Sequence, residues 1–143
     1  MTHDDSKGPF VGLKVVEFAS GIVPAYCCKM LSDAGADVVK IEPVDGDPMR
    51  SGRATPDTGA GALFDYVAAG KRSVVGELAS VEVATLMAAA DVIITDLSAG
   101  WSLTEIAEAA PESAVIVVIT PFGTHGPYFD RGLVGNEFVL QTM

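Results

Sequence analysis

Leu13-Lys14-Val15-Val16-Glu17-Phe18 is an apolar run rich in branched residues, broken by Ser20-Gly21. The run predicts a strand over 13–18. Pro24 stands where a helix can begin, because a first-turn proline forfeits no intrahelical bond. A helix over 25–34 follows, with Cys27, Leu31 and Ala34 on one face and Met30 alongside. Gly35 ends it, and 37–41 reads as a second strand. Strand, helix and strand in so short a span form one βαβ unit.

The alternation continues downstream. Residues 62–69 read as a short helix stopped by Gly70, and 73–78 as a weaker strand. Residues 80–90 read as a helix burying Val83, Leu86, Met87 and Ala90. A strand over 92–95, a turn over 98–100 and a helix over 103–110 come next, the helix opening on a capping-box pattern at Ser102 and Glu105. Residues 114–120 are almost all β-branched, which predicts a parallel strand covered on both faces. Residues 136–143 start another helix, so the chain ends inside an element. The fold class is therefore α/β: a Rossmann-like, open, mostly parallel sheet with flanking helices and right-handed crossovers, truncated. Residues 1–9 read as a flexible tail and 10–143 as one folded unit.

Composition narrows the function. The 143 residues are 49% hydrophobic and 20% charged, so the chain folds rather than staying disordered. A formal net charge of -10 argues against nucleic acid and anionic membranes as partners. No apolar run is long enough to span a bilayer, and residues 1–9 carry no signal-peptide core. These features point to a cytoplasmic protein. Cys27 and Cys28 are adjacent, which gives neither a disulfide framework nor a metal spacing. His3 lies in the tail, so no two-histidine metal site can form and no metal is expected.

In such folds ligands bind beyond the carboxyl ends of the strands. The loops there begin at Ala19, Glu42, Asp96 and Pro121. Ala19-Ser20-Gly21-Ile22-Val23-Pro24 has one glycine where the dinucleotide fingerprint needs three, and neither a Walker loop nor a Gly-x-Ser-x-Gly elbow occurs. Residues 43–61 form a long irregular loop, a kind that often carries function. Arg50, Arg53, Lys71 and Arg72 are four of nine basic residues and fall close together. They could bind phosphate groups, or they could pair with Asp45, Asp47 and Asp57. Asp47-Pro48 reads as turn chemistry. His125, in a rigid Gly-Pro turn, reads as polar surface in preference to an acid or base. The cysteines read as buried against the sheet in preference to reactive. Trp101 could stack on a flat ligand ring or simply be buried.

Six words stand in order along the chain. They are Gly12-Leu13-Lys14-Val15-Val16-Glu17-Phe18, Met30-Leu31-Ser32-Asp33-Ala34-Gly35-Ala36-Asp37-Val38-Val39-Lys40-Ile41-Glu42, Gly46-Asp47-Pro48-Met49-Arg50, Gly70-Lys71-Arg72-Ser73, Ala90-Asp91-Val92-Ile93-Ile94 and Phe122-Gly123-Thr124-His125-Gly126-Pro127-Tyr128-Phe129-Asp130-Arg131. With them the chain resembles the family III CoA-transferases, the group that includes formyl-CoA and carnitine-CoA transferases. The similarity runs from Gly8 to Met143 and identifies 10–143 as the N-terminal part of the family's large α/β domain.

The resemblance implies movement of CoA between carboxylic acids, with coenzyme A or an acyl-CoA as substrate. It implies an aspartyl-CoA thioester formed by nucleophilic catalysis. The family's catalytic aspartate lies further along than Met143, so no residue here is assigned as catalytic. This segment is expected to supply the CoA-binding side, at Ile22, Val23, Arg50, Lys71, Arg72, Asp96 and Gly100. The partners implied are a small-molecule acyl-CoA and either a second copy, as a homo-oligomer, or the remainder of the parent protein.

Departures from the family pattern are informative. The family's Ala-Gly-Pro after the first strand is Val23-Pro24-Ala25 here. Its Glu-Asn-Phe-Arg-Pro-Gly turn is Thr95-Asp96-Leu97-Ser98-Ala99-Gly100, so an amide has become a carboxylate and a basic residue is gone. A negative Asp96 near CoA phosphates is unfavourable, which predicts weakened, lost or reoriented CoA contacts. The related α-methylacyl-CoA racemases carry Gly-His-Asp where this chain has Gly135-Asn136-Glu137, and asparagine cannot abstract a proton. The alternative to an enzyme is a non-catalytic paralogue or fragment serving as a structural or interaction domain.

Overall fold

The computed structural model describes residues 8–51, 61–129 and 131. The elements run β1 (Lys14–Phe18), α1 (Ile22–Asp33), β2 (Asp37–Glu42), a 3-10 turn (Pro48–Ser51), α2 (Ala62–Ala68) and β3 (Arg72–Val75). They continue with α3 (Val81–Ala88), β4 (Val92–Thr95), α4 (Leu103–Ala109) and β5 (Val115–Val118). The strands form one parallel sheet in the order β3-β2-β1-β4-β5. The expected α/β fold is present.

Side chains alternate across the sheet, and each face has its own core. Val15, Val38 and Ile94 pack with Cys28 and Leu31 of α1 and with Ala36. Val16, Phe18, Ile41 and Ile93 pack with Val83 and Met87 of α3 and Ile106 of α4. The sheet is thus sandwiched between helices, as parallel sheets require.

Two boundaries differ from the sequence reading by more than two residues, and one burial expectation is corrected. Helix α1 begins at Ile22, so Pro24 is its third residue. The first four N–H groups of a helix lack intrahelical acceptors, so the proline costs no bond there either. Strand β3 stops at Val75, not 78, because the chain turns at Gly76. A Cβ on Gly76 would lie 2.9 Å from the Val83 side chain, so this close turn needs glycine. Among the described residues, strand β5 is not covered on both faces. It is the sheet's edge among the described residues, and Val115 is 58% exposed. Its β-branched run reports strand propensity, not full burial. The readings at 1–7, Arg53, Asp57 and 136–143 lie outside the described residues. No described helix is long and apolar enough to cross a membrane.

Candidate functional site

Glu17 and Lys40 are buried charges in the interiors of β1 and β2, and they organise the loops above them. Glu17 of β1 and Lys40 of β2 are register partners, and Lys40 Nζ donates to Glu17 Oε1 at 2.8 Å and to the Ala19 carbonyl at 2.7 Å. Asp47 Oδ2 lies 2.7 Å from the same ammonium, an ion-pair contact off the line of a good hydrogen bond. Burial works against the charged ammonium, yet Glu17 and Asp47 outweigh it and hold the Lys40 pKa above the ordinary lysine value.

Glu42 ends β2 and anchors the loop beyond it. Its carboxylate accepts Arg50 Nε at 2.6 Å and Arg50 Nη2 at 2.7 Å, a bidentate pair. It also accepts the Asp47 N–H at 3.0 Å and the Ser73 hydroxyl. The Arg50 contact, against the opposing effect of burial, lowers its pKa to about 2. Asp47 Oδ1 accepts the Met49 N–H at 2.7 Å, so the turn chemistry read at Asp47-Pro48 is present.

A cleft of about 390 Å³ opens at the carboxyl edge of the sheet. That volume lies within the range of small-molecule sites, about 300–1,000 Å³. Phe18 comes from the end of β1, Pro43 and Val44 follow β2, Gly76 to Ala79 follow β3, and Ala99 and Trp101 follow β4. Four strand ends therefore contribute, which is where the fold places ligands. Trp101 stacks on Phe18, with ring centroids 3.5 Å apart and planes at 25°. Glu77 is the one acidic side chain in an otherwise apolar lining.

The seven expected CoA-binding residues are not gathered in one place. Ile22 and Val23 open α1 with exposed side chains, and Asp96 and Gly100 lie on the loop after β4. Asp96 Oδ2 accepts the Gly21 N–H at 2.8 Å, which ties that loop to the start of α1. The Lys71 side chain is buried, its Nζ 2.5 Å from Glu17 Oε2 and 2.7 Å from the Ala25 carbonyl. Arg72 pairs with Asp37 at 2.6 Å, both residues standing at the starts of their strands. Arg50 pairs with Glu42 and lies over the Phe64 ring, 4.2 Å from its centroid. The three cations pair with carboxylates, as one of the two sequence readings allows. Among the described residues their partners are Glu42, Glu17 and Asp37 in place of Asp45 and Asp47, while Asp57 lies outside the described residues.

Sequence reasoning missed the Glu17–Lys40–Asp47 cluster and the loop 76–79. A charge in the interior of each of two strands, flanked by apolar residues, was the available signal for the cluster. The loop was hidden by extending the third strand past Gly76. His125 is exposed, with Thr124 Oγ1 3.5 Å from its Nδ1, which agrees with the surface reading. Cys28 is fully buried, and desolvation beside the Glu17 carboxylate pushes its pKa far up, so that thiol is inert. No group of ligating residues suited to a metal occurs among the described residues.

Comparison with known proteins points in one direction. The sequence profile of CoA-transferase family III matches residues 10–143. A succinate–glutarate CoA-transferase of Agrobacterium fabrum is 31% identical over 96% of this chain and 38% of its own length. A succinyl-CoA–D-citramalate CoA-transferase of Chloroflexus aurantiacus is 28% identical over 90% of this chain and 34% of its own. Among solved structures, a CAIB/BAIF family protein from Brucella suis superposes with a TM-score of 0.76 at 33% identity. That match covers 94% of this chain and 39% of that one. The chain thus spans somewhat over a third of the length of these relatives.

Proposed function

The chain belongs to CoA-transferase family III, and from that membership we propose that it supplies the coenzyme-binding side of an enzyme moving CoA between carboxylic acids. The observation that carries the proposal is the cleft at the carboxyl edge, with the Phe18–Trp101 pair forming one wall. Its apolar lining suits the flat adenine ring at the nucleotide end of CoA or an acyl-CoA, which stacks on aromatic faces. Ile22, Val23, Asp96 and Gly100 frame the neighbouring loops. Arg50 keeps 46% of its side chain exposed and can turn an edge of its guanidinium to a phosphate while Glu42 holds the other.

The transfer itself needs a carboxylate nucleophile that attacks the thioester carbonyl. The thiolate leaves, an anhydride forms, and the thiolate then attacks the enzyme's acyl group to give an aspartyl-CoA thioester and the free acid. We assign that nucleophile to none of these residues. Glu17, Glu42, Asp37 and Asp47 are all engaged with cations. The enzyme so completed would work in the cytoplasm, as the acidic composition suggests.

Trp101 is the only tryptophan and lies in the cleft, so its fluorescence reports occupancy. Titrating CoA should change its emission saturably, with a dissociation constant in the micromolar range. Replacement of Leu78, which also lines the cleft, by Asp should weaken that binding. No change in emission and no heat on CoA addition, in this chain and in any longer form of the protein, would sink the reading. The competing reading, a non-catalytic structural or interaction domain, is favoured by the pairing of Lys71 and Arg72 within the chain. It predicts that null result.

A further inference from the structure

The loops after β1 and β4 leave the sheet side by side, and at such a point loops commonly diverge to leave a crevice. Here they are tied together. Asp96 Oδ2 accepts the Gly21 N–H at 2.8 Å, and Ser98 Oγ accepts the Ser20 N–H at 3.1 Å. Asp96 Oδ1 accepts from Ser98 as well, from its N–H at 3.0 Å and its hydroxyl at 2.5 Å. A Cβ on Gly21 would lie 2.7 Å from Asp96 Oδ2, so the approach requires glycine.

The segment between these contacts is strained. Leu97 has φ of 60°, a left-handed conformation that costs a leucine roughly 1–2 kcal/mol. Thr95 Oγ1 accepts the Leu97 N–H at 3.0 Å, and the Leu97 side chain packs on the same core as Trp101. Gly100, at φ of 83°, then turns the chain so that Trp101 lies on Phe18.

We infer that Asp96 is a positioning residue for the cleft: it ties the loop after β4 to the loop after β1, and so holds Trp101 against Phe18. Its role runs through Trp101 and needs no contact with the ligand. The carboxylate is the suitable group because both oxygens accept, one from Gly21 and the other from Ser98. An amide offers one acceptor oxygen and must give up one side. The inference rests on the proposed function only for the identity of the ligand.

The test compares the wild-type chain with Asp96→Ala, Asp96→Asn and Gly21→Ala by Trp101 emission, acrylamide quenching and CoA titration. Asp96→Ala should shift the emission to the red, raise quenching and weaken CoA binding about tenfold, a loss of 1.4 kcal/mol. Asp96→Asn should fall between Asp96→Ala and wild type. Gly21→Ala should reproduce the red shift by pushing the same carboxylate away. Val38→Ala, which loosens the core on the other face of the sheet without touching the tie, should leave emission and affinity unchanged. If Asp96→Ala does not fold, Asp96→Asn and Gly21→Ala decide the matter. Wild-type emission and quenching in the folded variants would overturn the inference. If CoA binds no form of the chain, the functional proposal fails, while the emission comparison still decides the role of Asp96.

Discussion

Glu17 and Lys40 stand opposite each other on β1 and β2, with side chains 0% and 4% exposed and charged atoms 2.8 Å apart. Neither could remain charged there alone, because desolvating an unpaired ion costs several kcal/mol. Lys71 adds a second cation to Glu17, and Asp47 adds a second anion to Lys40. The cluster joins β1 and β2 to the loop after β2 and to the residue preceding β3. The base of the carboxyl edge is therefore fixed by charge as well as by packing.

Removing one member should be costly. Lys40→Met leaves Glu17 and Asp47 facing each other with a cation fewer in a buried site. The expected loss of folding stability is about 3–5 kcal/mol, as for other broken buried pairs. Urea denaturation at neutral pH measures it. A loss below about 1 kcal/mol, the scale of an exposed pair, would show that the cluster is solvated.

Glu42 gives the fold an acid limit. Its pKa falls from an ordinary 4.5 to about 2 in the folded chain, chiefly through Arg50. A depressed carboxylate contributes stability that is complete above the unfolded value and fades as pH falls towards the folded one. Denaturation midpoints should accordingly decline between about pH 4.5 and pH 2. Glu42→Gln should flatten that part of the profile, and an unchanged slope would argue against the Arg50 pairing.

Much of this architecture was legible in the sequence, for local reasons. The branched run at 13–18, the helix closed by Gly35 and the capping box at Ser102 each depend on neighbours a few residues away. The tying partners do not. Asp96 stood out as a carboxylate in a turn where the family pattern it resembles has an amide, but its acceptor role depends on Gly21, 75 positions earlier. Lys71 and Arg72 are adjacent in sequence, yet one is buried against Glu17 and the other pairs at the surface. Lys71 stands just before β3 and Arg72 opens it, so the two side chains leave different backbone conformations and meet different partners. The cleft draws on four strand ends and exists only once the sheet is assembled.

The two cysteines should react at different rates. Cys27 is half-buried, whereas Cys28 is fully buried with its thiol held protonated by its surroundings. Iodoacetamide under native conditions should label Cys27 first, with Cys28 labelled only after unfolding. Peptide mass spectrometry distinguishes the two sites. Equal native labelling would mean that α1 leaves the sheet readily.

Helix α4 is short and rests on its start. Ser102 Oγ accepts the Glu105 N–H at 3.2 Å, and Glu105 returns a contact to the Ser102 N–H at 2.8 Å. Ser102→Ala should cost about 1 kcal/mol, a usual figure for loss of an N-cap. Because Ile106 is the helix's buried anchor in the α3 and α4 core, the loss should appear in global stability. Thermal melts of the variant and of wild type measure the difference.

Ile22, Tyr26 and Met30 follow one another at intervals of four along α1 and are 49%, 47% and 56% exposed. Residues so spaced form a stripe on one side of a helix. Leu63 and Tyr66 of α2 are also exposed, and Tyr66 lies near Lys29 of α1, 5.4 Å from the ammonium to the ring centroid. Exposed apolar side chains gathered in this way favour association. The chain should therefore self-associate as its concentration rises, although its net charge of -10 opposes approach at low salt. Sedimentation velocity in moderate salt should show a concentration-dependent increase in mass. Tyr26→Lys with Met30→Lys should return it to monomer without moving the urea midpoint, since neither side chain supports the core. A clean monomer at high micromolar concentration and moderate salt would contradict the expectation.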